Sequence, residues 1–346
     1  MKAKLLLVLA ALPAIVLYTS CNKGDNVAPA IKPSDGTSQT INGGSGGVSA
    51  ANTVFIDLST DKQDSVARST WDLGLYCGSD FKVMINNTTW AKATVLNKTD
   101  LAAVGASDTM AISFTQTYSA TDYTFIDTVS GDLSKTIIPA VSATDAGNYV
   151  VILNRGIGGG ITARPWIKLR ILRNGASGYT IQYARITETT YKTITVAKDD
   201  TYNFKFFSFD NGTITVEPQK KLWDIEYSYA LYQTAYGSGY IPYAFSDLIM
   251  TNLLGGTTAA EILTSRVSYD NYSDTSIANT VFGSDRFIIG SNWRSTQPAT
   301  GVKTDRFYVV KDVAGNVYKI KFLSMGVNDG GTRGYPQLEY KLVKKG

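Results

Sequence analysis

Six tyrosines fall between Tyr227 and Tyr243, in "YSYALYQTAYGSGYIPYAF", whereas the 346-residue chain contains no histidine at all. Tyrosine combines a flat apolar face with a polar tip, which suits a ring ligand, a sugar or a partner protein. Tyr227, Tyr229 and Leu231 alternate as plain strand surface. Tyr236, Tyr240 and Tyr243 lie in "AYGSGYIPY", a stretch punctuated by Gly and Pro that reads as a loop, and they are candidate binding residues. The missing histidine excludes Ser-His-Asp and Cys-His nucleophile pairs, His-ligated zinc and a His general base. Catalysis would have to rest on carboxylate pairs, Lys or Tyr, and none of these stands at a telling spacing. The chain therefore reads as a non-enzyme, with a carboxylate-pair glycosidase as the enzymatic alternative.

Other motifs carry little chemistry. "RGIGGGITARPW", residues 155–166, has no Lys-Ser/Thr pair and no helix behind it, so it reads as a mobile hairpin tip rather than a phosphate loop. "STDKQDS" and "DNYSDTS" miss the spacing of a calcium loop and read as turns.

The first 21 residues, "MKAKLLLVLAALPAIVLYTSC", have the basic start, short apolar core and small residues of an export signal peptide. Cys21 at its end resembles the acylated cysteine of bacterial lipoproteins, although Tyr18 stands where an aliphatic residue is usual. Residues 1–20 hold two lysines and no acid, leaving 31 basic against 29 acidic residues, too small a field to imply nucleic acid. The alternative is a secreted protein with Cys21 paired to Cys77. With Cys21 lipidated, Cys77 becomes a small buried side chain. Residues 21–50 are rich in Gly, Ser, Asn and Pro and read as a flexible tether of roughly 30 Å root-mean-square length, holding the protein off a membrane it does not cross.

The elements that must position any site come in two sets. Abundant Tyr, Thr, Val, Ile and Gly with only 18% charged residues favour strands. "NTVFIDLSTD" leads to Trp71-Asp72, "FKVMINN", "NYVVILNRG" and "WIKLRILRN"; "YNFKFFSFDNG" leads to Trp223-Asp224, "SDLIMTN", "DRFYVVKDVAG" and "VYKIKFLSM", in the same order. This is a tandem duplication of one β-rich unit, with units expected over 51–190 and 191–346. Ile167, Leu169 and Ile171, and their counterparts Tyr318, Ile320 and Phe322, form one face of each strand. "KDVAGNVYK" reads as a hairpin. Short helices are expected only at "LAAVG" after Thr99-Asp100 and at "AEILTS", where Thr258 and Glu261 form a capping-box pattern. The Trp-Asp pair reads as structural: a large buried ring beside a hydrogen-bond acceptor.

The segments "VFIDLST", "STWDLGLYCG", "WDIEYSY", "YAFSDLIMTN", "FYVVKDVAGNVYKIKF" and "GYPQLEYKL" resemble the HmuY family of Bacteroidetes over residues 52–346, in a longer, duplicated form. That resemblance implies an all-β fold of two tandem HmuY-like units, an outer-membrane lipoprotein, and iron acquisition by heme or porphyrin capture with passage to a TonB-dependent receptor. The founding member ligates heme through two histidines, so no ligand carries over. Some relatives use methionine thioethers, soft donors suited to ferrous iron. This makes Met84 and Met250, each two residues before the Asn of its repeat, and Met325, near a loop mouth, candidate cofactor-binding residues; a phenolate from Tyr236, Tyr240 or Tyr243 could serve ferric iron. The alternative is a surface module that binds a glycan, another cofactor or a partner protein.

Overall fold

The computed structural model describes residues 32–114, 117 and 119–346; the leader and Cys21 lie outside them. All regular structure among the described residues is strand or short 3-10 turn. Three strands come first: β1 (Ser38–Thr40), β2 (Asn52–Asp57) and β3 (Lys62–Ala67). After Trp71 follow β4 (Leu73–Tyr76), β5 (Val83–Ile85), β6 (Lys92–Val95), β7 (Val151–Asn154), β8 (Ile167–Arg173) and β9 (Gly178–Arg185). A second set of three, β10 (Lys192–Ala197), β11 (Phe204–Ser208) and β12 (Gly212–Ile214), precedes Trp223. Then come β13 (Ile225–Tyr236), β14 (Gly239–Thr251), β15 (Thr258–Leu263), β16 (Arg294–Thr296), β17 (Ala299–Val302), β18 (Arg306–Lys311), β19 (Val317–Ser324) and β20 (Gln337–Lys344).

Four sheets pack as two sandwiches. In the first unit β10-β9-β8-β7-β6 faces β12-β11-β4-β5, and in the second β1-β20-β19-β18-β15 faces β14-β13-β2-β3. Leu73, Leu75, Val83 and Phe207 fill one core against Leu153, Leu169, Ile171 and Ile181. Val54, Ile56, Ile225 and Tyr227 fill the other against Tyr308, Val310, Tyr318 and Ile320. Alternating strands make such cores because successive side chains point to opposite faces. The faces expected from Ile167, Leu169 and Ile171, and from Tyr318, Ile320 and Phe322, are buried as read.

Strand pairing crosses the expected 190/191 boundary. Each unit borrows its three flanking strands from the other repeat: β2 pairs with β13 and β1 with β20, while β11 pairs with β4 and β10 with β9. The chain therefore runs three strands, body, three strands, body, and each body is closed by the set that does not precede it. Arg68 pins the first crossing. Its buried guanidinium donates to the carbonyls of Ala50, Ser49, Thr88 and Gly158 and lies 4.7 Å from the Tyr229 ring. Burial without a carboxylate partner pulls its pKa down to about 10.

The expectation of a tether reaching to Ala50 is corrected. Residues 33–50 form part of the second sandwich: Tyr340 and Leu342 donate to Thr37 and Asp35 carbonyls, Ile41 donates to Pro336, and the Ile41 side chain is fully buried. The glycines that read as flexibility serve close approach. A Cβ on Gly36 would come within 2.2 Å of Tyr340 O, and one on Gly43 within 2.3 Å of Gly334 O. Three local readings also change. Thr258–Leu263 is a strand, with Glu261 bonded across to Arg306 and Tyr308 instead of capping a helix; Leu101–Gly105 is a turn; and "AYGSGYIPY" is the end of a long β13–β14 hairpin. The 155–166 segment joins β7 to β8, with Gly158 packed so closely on the Trp90 ring that a Cβ would sit 2.4 Å from it. Cys77 is buried as expected, and burial raises its thiol pKa.

Ile41→Ala should destabilise the protein by about 2–5 kcal/mol, read from the urea midpoint. A flexible tether would show no change, and that outcome would return the segment to a linker.

Candidate functional site

Where the two sandwiches meet, the Trp-Asp pairs occupy matching environments. The Asp72 N–H donates to Phe207 O at 2.9 Å and its carboxylate accepts from Phe209 N at 2.9 Å; the Asp224 N–H donates to Ile56 O at 2.8 Å and its carboxylate accepts from Leu58 N at 2.9 Å. Asn86 Nδ2 holds Trp71 O at 2.8 Å, as Asn252 Nδ2 holds Trp223 O at 2.9 Å. Phe206 meets the Trp71 ring edge-on at 4.9 Å, and Phe55 meets Trp223 edge-on at 5.0 Å. All four rings belong to one buried cluster bridging the units.

Beside this cluster lies a cavity of about 190 Å³, walled by Trp71, Trp223, Phe55, Phe204, Phe206 and Met84 and rimmed by Ser130–Leu133 and Leu253-Leu254. Strand register sets two matched triplets beside it. Phe206 stands opposite Gly74, which stands opposite Met84; Phe55 stands opposite Glu226, which stands opposite Met250. The equivalence of Met84 and Met250 thus appears in the register. Their settings differ: Met84 is half-buried and lies across Gly74, whose Cβ would be 2.6 Å from its Cε, whereas Met250 is buried and its sulfur accepts from Arg286 at 3.1 Å.

Of the other candidate residues, Met325 is fully buried in the second core, which corrects its placement at a loop mouth. Tyr236, Tyr240 and Tyr243 are 68%, 58% and 44% exposed and line no part of this cavity. Tyr243 pairs with Tyr232 and shares a face with Tyr236, while Tyr240 pairs with Ala235 on the opposite face. Tyr227, Tyr229 and Leu231, read as strand surface, are buried.

Sequence reading missed the acids that line the cavity. Asp127 accepts from the N–H groups of Ile85 (2.7 Å) and Ile137 (2.8 Å), and burial still pushes its pKa up to about 7. Glu217 accepts from Phe204 N at 2.7 Å, and burial pushes it up to about 8. Glu226 is raised by burial against the opposing pull of Arg286, whose Nη2 is 3.4 Å away; the side chain keeps 13% exposure. No local motif marks these positions. The one available signal is that the repeats differ, Glu226 standing where the first unit has Gly74.

The two Asp clasps differ in charge. Asp72 is held bidentately by Arg155 at 2.7 and 2.8 Å, with Arg164 at 3.2 Å. Burial lowers the Arg155 pKa, but hydrogen bonds to Asp210 and Asp72 outweigh it and the net shift is upward. Asp224 has no cation among its hydrogen-bond partners; burial, with Asp57 and Asp312 nearby, pushes it up to about 8.

A family model described as HmuY protein matches residues 49–340. Among solved structures the chain is similar to a candidate lipoprotein from Bacteroides fragilis NCTC 9343, at 12% identity over 90% of this chain and 93% of that one, with a TM-score of 0.20. It is similar also to an apo HmuY analog from Tannerella forsythia, at 10% identity over 90% and 96% of the two chains, with a TM-score of 0.18. No curated protein matches the chain.

Asp127, Glu217 and Asp224 have folded pKa values of about 7, 8 and 8 against about 4 for an unfolded carboxyl. The folded state binds the extra protons, so stability falls as pH rises from about 4 to about 8 and then levels. Urea midpoints should drop between pH 5 and 8.5, and Asp224→Asn should flatten part of that slope. Asp72→Asn, which breaks a buried ion pair, should instead cost about 3–5 kcal/mol across the range. A pH-independent midpoint would contradict the assignment.

Proposed function

Because the chain belongs to the HmuY family, we propose that it is a non-enzymatic capture lipoprotein, anchored through Cys21, that takes heme or a related porphyrin into the cavity between its units. The observation that carries this reading is the pair of matched triplets: two strand-borne aromatic walls with a thioether beside them, where a flat apolar ring can stack. Of the three candidate methionines, Met84 alone lines the cavity, so it would be the donor to ferrous iron, and the aromatic walls would supply the remaining binding energy. A volume of about 190 Å³ is below the roughly 300–1,000 Å³ of most ligand pockets. A porphyrin therefore enters only when the Ser130–Leu133 and Leu253-Leu254 rims part. Outer-membrane placement, iron acquisition and delivery to a TonB-dependent receptor belong to the same reading.

One observation favours a partner-protein role as a second reading. The exposed β13–β14 tip presents tyrosines on both faces, which suits contact with a receptor or other protein more than enclosure of a ring.

Titration of the protein with hemin under dithionite should give a saturable, shifted Soret band. Met84→Ala should weaken it by ~10-fold or more, a loss of about 1.4 kcal/mol, while Tyr236→Ala leaves it unchanged. No saturable shift in either redox state would sink the porphyrin reading.

A further inference from the structure

The cavity holds more acidic side chains than a porphyrin stack requires. Glu226 occupies a place that the first unit fills with Gly74, so the fold itself needs no side chain there. Asp127 has both oxygens on backbone N–H groups and Glu217 is bonded to Phe204 N, but among the described residues the one polar contact of the Glu226 carboxylate is the long one to Arg286 at 3.4 Å. The same guanidinium is drawn toward Met250 Sδ at 3.1 Å. Thr251 Oγ1 and Trp223 Nε1, on buried residues of the same wall, have no hydrogen-bond partner. Among the described residues no three acids or thiols come together to chelate a metal ion. Arg286 is the one cation lining the cavity among the described residues, and its long 3.4 Å contact leaves Glu226 able to take a second cation, that of a small molecule.

We propose that the cavity binds a small organic cation, with an ammonium or quaternary ammonium group seated among Trp71, Trp223, Phe55 and Phe206 and Glu226 as its counter-charge. Aromatic faces attract such cations through the ring quadrupole, more strongly where water is excluded. The apolar wall covers the alkyl groups, and the unpartnered Thr251 hydroxyl can accept from a hydroxyl or N–H on the ligand. The volume of about 190 Å³ suits a molecule of this size without movement of the rim. The desolvation that raises the Glu226 and Glu217 carboxyls is what an arriving cation relieves. This site use is independent of porphyrin binding, although the two ligands would exclude each other.

Calorimetric titration of the protein with choline and with its uncharged isostere 3,3-dimethylbutan-1-ol tests the proposal. Choline should bind saturably and at least ~10-fold more tightly than the isostere. Glu226→Gln should remove that preference, while Glu261→Gln, on an outer strand pair, should not. Equal binding of the two probes, an unaltered preference in Glu226→Gln, or no saturable binding of choline or tetramethylammonium would each overturn it. Hemin titration of the same sample separates the two readings: hemin binding with cation failure leaves the porphyrin reading standing alone, and the reverse leaves only the cation site.

Discussion

Everything in this molecule hangs on a carboxylate accepting the backbone N–H of a strand from the other repeat. Asp72 takes Phe209 and Asp224 takes Leu58, and in each case the same strand also pairs with the Trp-bearing body. A sheet edge left open would expose unpaired N–H and C=O groups. Here each body's edge is filled by strands that belong, in sequence, to its neighbour. The exchange brings Phe55 to Trp223 and Phe206 to Trp71, and so places both aromatic walls, and the cavity between them, at the junction of the units.

The near-symmetry makes the departures from it informative. The first clasp is neutralised by Arg155, whereas the second has Asp57 and Asp312 for neighbours and sits as a high-pKa acid. Beside the cavity the first unit pairs Gly74 with Met84 where the second pairs Glu226 with Met250. The backbone pattern recurs while the electrostatics do not, so the two clasps, and the two sides of the cavity between them, differ in charge.

Local patterns made the strands, the two tryptophans and the matching methionines legible, because alternation and repeat order are properties of short windows. Strand exchange was not, since nothing in residues 52–57 says which of two similar partners they will join. Gly36 and Gly43 looked like linker residues because composition cannot distinguish glycine chosen for freedom from glycine chosen for close contact. Thr258 and Glu261 matched a helix signal, but pairing with β18 overrode it. Met325 and the early tyrosines were misplaced because burial by a distant sheet leaves no trace in the neighbouring sequence. The acids of the cavity are scattered from Asp127 to Glu226, and only the fold assembles them.

The pairing of β1 with β20 joins positions as far apart as Gln39 and Tyr340, linked by a side-chain hydrogen bond 301 residues long in sequence. The first unit is built from a continuous stretch and can close while the chain is still emerging. The second has to hold its opening strands in waiting until the final one arrives, a high-contact-order step that comes late. Such a protein has a vulnerable interval during folding, and its slow step is the pairing of β1 with β20.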